Sequence, residues 1–192
     1  MKWMWCALLV VIWCGGALAA THEHGGGGQG DAAGAGCCSA DVWVDGSVVH
    51  LLTADRAAAG APPELHYQRS SDGGATWSAP VRLGEGQPAT IAHRGMDAQI
   101  AASGEKLVAV WPTAGNDKMG RGPMATAISG DGGKTWRAGP NPADDGTLGG
   151  HSFIDVAADD RGTFHLVWLD SREGASKGLR YARSNDGRAV TI

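Results

Sequence analysis

The sequence predicts an all-β fold assembled from repeated four-stranded units. An eight-residue box recurs: SSDGGATW at residues 70–77 and SGDGGKTW at residues 129–136 share Ser, Asp, Gly, Gly, Thr and Trp in register, and a third copy begins as SNDG at residues 184–187. Turn glycines recur 58 residues apart, at Gly46, Gly104 and Gly162. The 31 glycines follow no collagen period, which is typical of many short strands joined by tight turns.

The N-terminal residues predict export. Residues 1–20 (MKWMWCALLVVIWCGGALAA) combine a positive charge, a short apolar run and a small-residue end, as a secretory signal peptide does. A bilayer-spanning helix would need a longer apolar run. Residues 21–36 form a Gly-rich linker with little to bury. We therefore expect a secreted or periplasmic protein with no membrane span after cleavage, and the net charge of −4 argues against nucleic acid as a partner.

Each unit between residues 37 and 192 contains the same order of strands. Asp41, Asp97 and Asp155 open the three units, a turn glycine follows each, and then come the apolar strands 48–52, 107–111 and 164–168. A loop leads to a third strand, and the box connects this strand to a fourth. The units span about residues 37–92, 93–150 and 151–192. A four-stranded meander of this length in tandem is typical of β-propeller blades, because one such sheet cannot bury both of its faces.

The box resembles the Asp-box, or bacterial neuraminidase repeat, of the sialidase (neuraminidase) superfamily. The resemblance covers roughly residues 40–190 and implies a sialidase-like β-propeller in which the box forms the hairpin between the third and fourth strands. Three blades do not close such a ring, so we expect the propeller to be incomplete. The polypeptide is then either a truncated reading of a longer one, the alternative that we favour, or a subunit of an assembly of several chains.

Turn chemistry accounts for the residues of the box. The aspartates can accept hydrogen bonds from the backbone of their own turn, the glycines supply positive φ, and the tryptophans pack over the hairpin. We therefore interpret these residues as structural: Ser70, Asp72, Gly74, Thr76, Trp77, Ser129, Asp131, Gly133, Thr135 and Trp136.

A complete catalytic site is not evident. The sialidase resemblance implies an arginine triad for the substrate carboxylate, a Tyr nucleophile assisted by Glu, and an Asp acid/base. Only two tyrosines are present, Tyr67 and Tyr181, and both lie three residues before a box, so the repeat itself accounts for them. Charged residues in or near the loops remain as candidates for a catalytic site: Arg94, Asp97, Asp170 and Arg172.

A Cys/His set suggests a ligand site. Cys37, His93 and His151 each lie four residues before an opening aspartate, so we expect them to project toward one axis. His93 and His151 are thus candidate ligand-binding residues, and with Cys37 and Cys38 they could hold zinc or copper. Alternatively, each histidine caps the start of a strand. The vicinal cysteines could form a strained disulfide, remain free thiols or act as a ligand pair.

Three functions compete at this point. The chain is an exported sialidase-like protein that acts on or binds glycans, a non-catalytic propeller that binds glycans or proteins, or a metal-binding propeller. Whether it is an enzyme stays open, because one fold hosts many activities.

Overall fold

The computed structural model describes residues 36–92, 95–115, 120–143, 146, 150–170, 178–185 and 190–191; Cys37 and residues 190–191 are described by their backbone alone. The predicted signal peptide and all of the linker except Gly36 lie outside this range. So do three candidate site residues: His93, Arg94 and Arg172.

The described residues form three antiparallel sheets of four strands each, in sequential order, which we call blades 1 to 3. Blade 1 contains β1 (Gly36–Asp45), β2 (Val48–Arg56), β3 (Glu64–Ser70) and β4 (Val81–Leu83). Blade 2 contains β5 (Gln99–Ser103), β6 (Lys106–Ala114), β7 (Arg121–Ser129) and β8 (Arg137–Gly139). Blade 3 contains β9 (His151–Ala158), β10 (Phe164–Asp170), β11 (Gly178–Ser184) and β12 (Val190–Thr191).

These sheets confirm the predicted all-β fold class, and no helix occurs among the described residues. In that part of the chain there is accordingly no helix able to cross a membrane. The turns at Gly46, Gly104 and Gly162 have φ between 59° and 79°, a region that favours glycine. The first strand begins at Gly36, earlier than the sequence predicts.

The blades stack face to face. One apolar core lies between blades 1 and 2 and includes Leu52, Ile100 and Trp111. A second core lies between blades 2 and 3 and includes Val108 and Trp168. The first strands contact one another in succession, β1 with β5 and β5 with β9. Blade 2 therefore buries both of its faces, as a blade inside a stack must.

Strand register defines the equivalent positions of the three blades. The first residue of each box pairs with a residue near the start of the second strand: Ser70 with Val49, Ser129 with Leu107, and Ser184 with Phe164. Counting from these pairs identifies every other equivalent position along the second strands, together with its partners on the first and third strands.

Candidate functional site

Antiparallel connectivity separates two edges of the stack. The starts of the first and third strands and the ends of the second strands meet at one edge, which we call the mouth. The boxes and the turns between first and second strands lie at the opposite edge, which we call the rim. Loops at the mouth come from every blade, so this edge is where a shared binding site can form.

At the mouth of blade 3, His151 and Asp170 lie side by side. They face each other across β9 and β10, and His151 Nε2 lies 3.6 Å from Asp170 Oδ2. Trp168 Nε1 donates a hydrogen bond to the same carboxylate oxygen at 3.1 Å. His151 Nδ1 lies 3.1 Å from the carbonyl oxygen of Gly122, which can only accept, so Nδ1 carries the proton. The histidine thus ties blade 3 to blade 2.

Arg121 extends this group from the first residue of β7. Its Nη1 donates to Ser152 Oγ at 3.1 Å, and both residues are buried. We call Arg121, His151, Ser152, Trp168 and Asp170 the mouth cluster. Its guanidinium and carboxylate groups each have a hydrogen-bond partner within the protein, and the imidazole bonds through Nδ1, so the cluster holds the mouth in shape. No pattern in the sequence signals Ser152, and the alternation of β10 accounts for Trp168 as a core residue.

Carboxylates also lie on two of the first strands and just before the third. Asp41 Oδ2 accepts a hydrogen bond from the backbone N–H of Ile100 at 2.7 Å and so connects blade 1 to blade 2. Burial raises the pKa of the Asp41 carboxyl above its ordinary value, and the charges of Asp155 and Asp97 raise it further. Asp155 and Asp97 are therefore close enough for their charges to act on Asp41, which makes this stretch of the stack acidic.

The structure corrects the equivalence of Asp97 with Asp41 and Asp155. Asp41 pairs with Leu52 and Asp155 with Val167. The equivalent residue of β6 is Val110, whose partner is Gln99. Asp97 lies two residues before that position. The offsets differ because the segment before β5 is not in step with the segments before β1 and β9.

The position of blade 2 that matches Cys37 and His151 holds a threonine. Cys37 pairs with Asp55, and His151 pairs with Asp170. The equivalent pair in blade 2 is Thr90 with Thr113, an isolated bridge. The common offset that suggested a site of Cys37, His93 and His151 therefore does not follow the strand register in blade 2, and the place of His93 itself lies outside the described residues.

Metal binding by this set stays a prediction, because the side chains of Cys37 and His93 lie outside the described residues. Among the residues that are described, no three His, Cys, Asp or Glu side chains are grouped so that they could hold a metal ion. Cys38 carries a free thiol, and its Sγ lies 3.6 Å from the carbonyl oxygen of Gly36.

Phe153 is a candidate that the sequence analysis missed. It lies in the irregular part of β9, two residues after His151, and its φ of 53° is in the left-handed region. The side chain is 57% exposed and lies against Gly95, where a Cβ would come within 2.8 Å of the ring. Non-glycine residues held in such sparsely populated backbone conformations cluster at functional sites, and the ring of Phe153 is exposed to a ligand.

The boxes bond within their own hairpins. Thr76 donates from its backbone N to Asp72 Oδ1 at 2.8 Å and from Oγ1 to Asp72 Oδ2 at 2.6 Å, and Ser70 Oγ donates to Asp72 Oδ1 at 2.7 Å. The second box repeats these contacts around Asp131 at 2.6–2.9 Å. Hydrogen bonds from the threonine lower the pKa of each aspartate to about 2.

Tyr67 is buried between blades 1 and 2. Its hydroxyl lies 2.8 Å from His50 Nδ1 and donates to the carbonyl oxygen of Gly132 at 3.2 Å. The ring packs edge-on against Trp136 with centroids 5.2 Å apart. Burial raises the pKa of Tyr67 to about 12. Tyr181 makes the matching contact in blade 3, with its hydroxyl 2.7 Å from the Nδ1 of a histidine, His165.

Several solved structures with a similar arrangement are glycoside hydrolases. An alpha-L-arabinofuranosidase of Fusarium graminearum, in complex with an iminosugar inhibitor, is 15% identical, with a TM-score of 0.55 over 79% of this chain and 46% of that one. An alpha-L-arabinanase of Penicillium chrysogenum, complexed with arabinobiose, is 16% identical, with a TM-score of 0.53 over 81% of this chain and 49% of that one. The fold is that of a β-propeller.

A family 117 glycoside hydrolase of Zobellia galactanivorans has a propeller of this kind as well, at 13% identity and a TM-score of 0.55 over 90% of this chain and 60% of that one. The present chain spans about half the length of the arabinofuranosidase and the arabinanase. No protein-family model matches its sequence, and comparison with curated proteins gives no match. At such low identity the likeness shows the fold alone.

Proposed function

We propose that this chain is an exported, sialidase-like β-propeller protein that binds glycans at its mouth. The observation that carries the proposal is an exposed aromatic ring, Phe153, held in a left-handed conformation on a first strand whose next outward residue is the exposed carboxylate Asp155. Support also comes from the fold, which is shared with an arabinanase that binds arabinobiose.

The chemistry of these two groups suits a sugar. The C–H face of a pyranose or furanose ring stacks on an aromatic side chain, and neighbouring hydroxyls donate hydrogen bonds to a carboxylate. Phe153 and Asp155 are separated by one residue on β9, so one sugar can reach both. The buried mouth cluster below them, with His151 and Asp170, fixes the start of β9 and thereby limits how the two groups move.

Binding is tested by titrating the purified full chain with arabinobiose and with sialyllactose by isothermal calorimetry. We expect one of the two sugars to bind and Phe153→Ala to weaken its binding about tenfold or more. Trp77→Ala removes an exposed aromatic at the rim and is the matched control, which should bind as the unchanged chain does. Equal loss in both variants, or no binding of either sugar, would contradict the proposal.

Binding without sialidase turnover is the form of the activity that we expect. The two tyrosines of the chain, Tyr67 and Tyr181, are each bonded to a histidine at equivalent positions of the repeat. A tyrosine whose pKa is raised to about 12, as for Tyr67, is a poor nucleophile. A fluorogenic sialoside should therefore remain uncleaved, and turnover that disappears on Tyr67→Phe or Tyr181→Phe would contradict this.

Export is a separate part of the proposal and has its own test. The chain should appear in the periplasm or medium of a producing bacterium, with Thr21 as the first residue of the mature protein. Deletion of residues 2–20 should keep it in the cytoplasm. An exported protein that retains Met1 would overturn the assignment of the signal peptide.

A further inference from the structure

The exposed apolar side chains of the described residues avoid blade 2. Five large ones are exposed, and all lie in blades 1 and 3: Val42, Val44, Trp77, Phe153 and Leu179. Phe153 belongs to the mouth. The others lie on blades that have only one neighbour in the stack, so the distribution points to the two outer faces of the stack.

The outer face of blade 1 copies a face that is buried elsewhere. Val44 pairs with Val49, and the equivalent pair in blade 2 is Ala102 with Leu107. Ala102 is 3% exposed, because it packs against blade 1, whereas Val44 is 57% exposed. Val42 has the same relation to Ile100, a buried residue of the same core. Blade 1 therefore presents the surface with which blade 2 receives its neighbour.

The outer face of blade 3 is equivalent to the face of blade 1 that packs against blade 2. Leu179 pairs with Leu169 and is equivalent to Leu65, which pairs with Ala54. Leu65 is 3% exposed in the core between blades 1 and 2, and Leu179 is 72% exposed. The side chain of Leu179 thus occupies a core position with no blade packed over it.

A histidine–tyrosine pair repeats the same relation with nearly identical geometry. His50 and Tyr67 have ring centroids 6.0 Å apart and an interplanar angle of 24°, and they face blade 2. His165 and Tyr181 have centroids 6.0 Å apart and an angle of 28°, and they lie on the outer face of blade 3. The second pair is therefore already in the conformation that the first adopts in its contact with the next blade.

Tyr67 shows what the outer tyrosine fits. Its hydroxyl donates to Gly132, and its ring lies against Gly133, where any Cβ would overlap it. Blade 1 carries the equivalent glycines, Gly73 and Gly74, with φ of 70° and 93° against 73° and 87° in blade 2. A Cβ on Gly74 would meet only Trp77 of its own chain, at 3.7 Å. The first box thus has the same two glycines that Tyr67 contacts in the second box, without such a ring packed on them.

We propose that a second copy of this chain docks here: blade 3 of each copy packs on blade 1 of the other, so that two copies close one ring of six blades. Tyr181 of one copy then lies on Gly73 and Gly74 of the other, and Leu179 lies near Val42 and Val44. The proposal does not depend on glycan binding, because it rests on the outer faces and not on the mouth.

The test is the mass of the purified full chain by analytical ultracentrifugation. We expect a dimer, and we expect Leu179→Arg and Val44→Arg each to weaken it about tenfold or more, since each places a charge in an apolar contact. Both positions are exposed within one chain, so neither change should affect folding, as circular dichroism will check. Ala138→Arg adds the same charge to the exposed outer strand of blade 2 and should leave the dimer unchanged.

Mixing the two variants separates this arrangement from others. A Leu179→Arg chain retains the face of blade 1, and a Val44→Arg chain retains the face of blade 3, so the mixture should form a heterodimer through one intact contact. A symmetric dimer built on one face alone would not recover in this way. A monomeric unchanged chain, which would mean that some other segment or protein covers these faces, or a failure of the mixture to associate, overturns the proposal.

Discussion

Replacing Gly133 by alanine tests the contact that joins blades 1 and 2. The backbone there has a φ of 87°, so any L-residue costs about 1–2 kcal/mol of stability through its conformation alone. The new methyl group would also overlap the Tyr67 ring, and such overpacking costs about 1–3 kcal/mol more. We therefore expect Gly133→Ala to lower the free energy of unfolding by about 2–5 kcal/mol.

Gly74→Ala is the matched control, because its φ of 93° imposes a similar conformational cost while its Cβ meets only Trp77 at 3.7 Å. It should lose about 1–2 kcal/mol. Both changes are compared by urea unfolding, followed by tryptophan fluorescence, in the Leu179→Arg chain, where no second copy should dock on Gly74. Equal losses at the two glycines would refute the reasoning, since the Tyr67 contact would then contribute nothing.

Three further outcomes are expected. Tyr67→Phe should lower the free energy of unfolding by about 1–3 kcal/mol in the same assay, because the buried Gly132 carbonyl loses its donor. His151→Ala should cost about 1–3 kcal/mol, because the buried Gly122 carbonyl loses its donor. Stability should fall as the pH drops from about 4 to about 2. The reason is that the pKa of Asp72 is lowered to about 2, so its stabilising contribution is complete above the ordinary value of 3.8 and is lost when the carboxylate is protonated. An Asp72→Asn chain should show a shallower fall in acid unfolding curves.

The repeat made most of the fold predictable. The boxes and the turn glycines are local devices, so their spacing alone located the hairpins and the order of the strands. Strand ends were less accessible: nothing in the residues before Asp41 marks Gly36 as the start of β1. The equivalence of Asp97 with Asp41 and Asp155 failed for a physical reason. A loop between blades can gain or lose residues without cost to the sheets, so the segment before β5 does not keep the spacing of the other two.

The site was predicted only in part. Asp170 and His151 were candidates on separate grounds, loop position and offset, and the register of β9 and β10 brings them together. The role proposed for Phe153 depends on its positive φ, which cannot be predicted from the residue type. Tyr67 and Tyr181 were correctly placed in the repeat, but their histidine partners lie 17 and 16 residues earlier, a distance that has meaning only once the strands are paired.

The contact of the Tyr67 ring with Gly133 restricts which residues neighbouring blades can carry together. Blade 2 carries Thr126 where its neighbours carry tyrosine, and the box that follows it has Arg188 where the other boxes have their second glycine. In the sequence, a tyrosine in one blade is thus accompanied by a glycine in the next box, as Tyr67 is by Gly133. Where the blade carries Thr126 instead, the next box carries Arg188. A blade copied or exchanged alone would separate such partners. An exchange between blades should therefore keep the second half of one blade together with the box of the next.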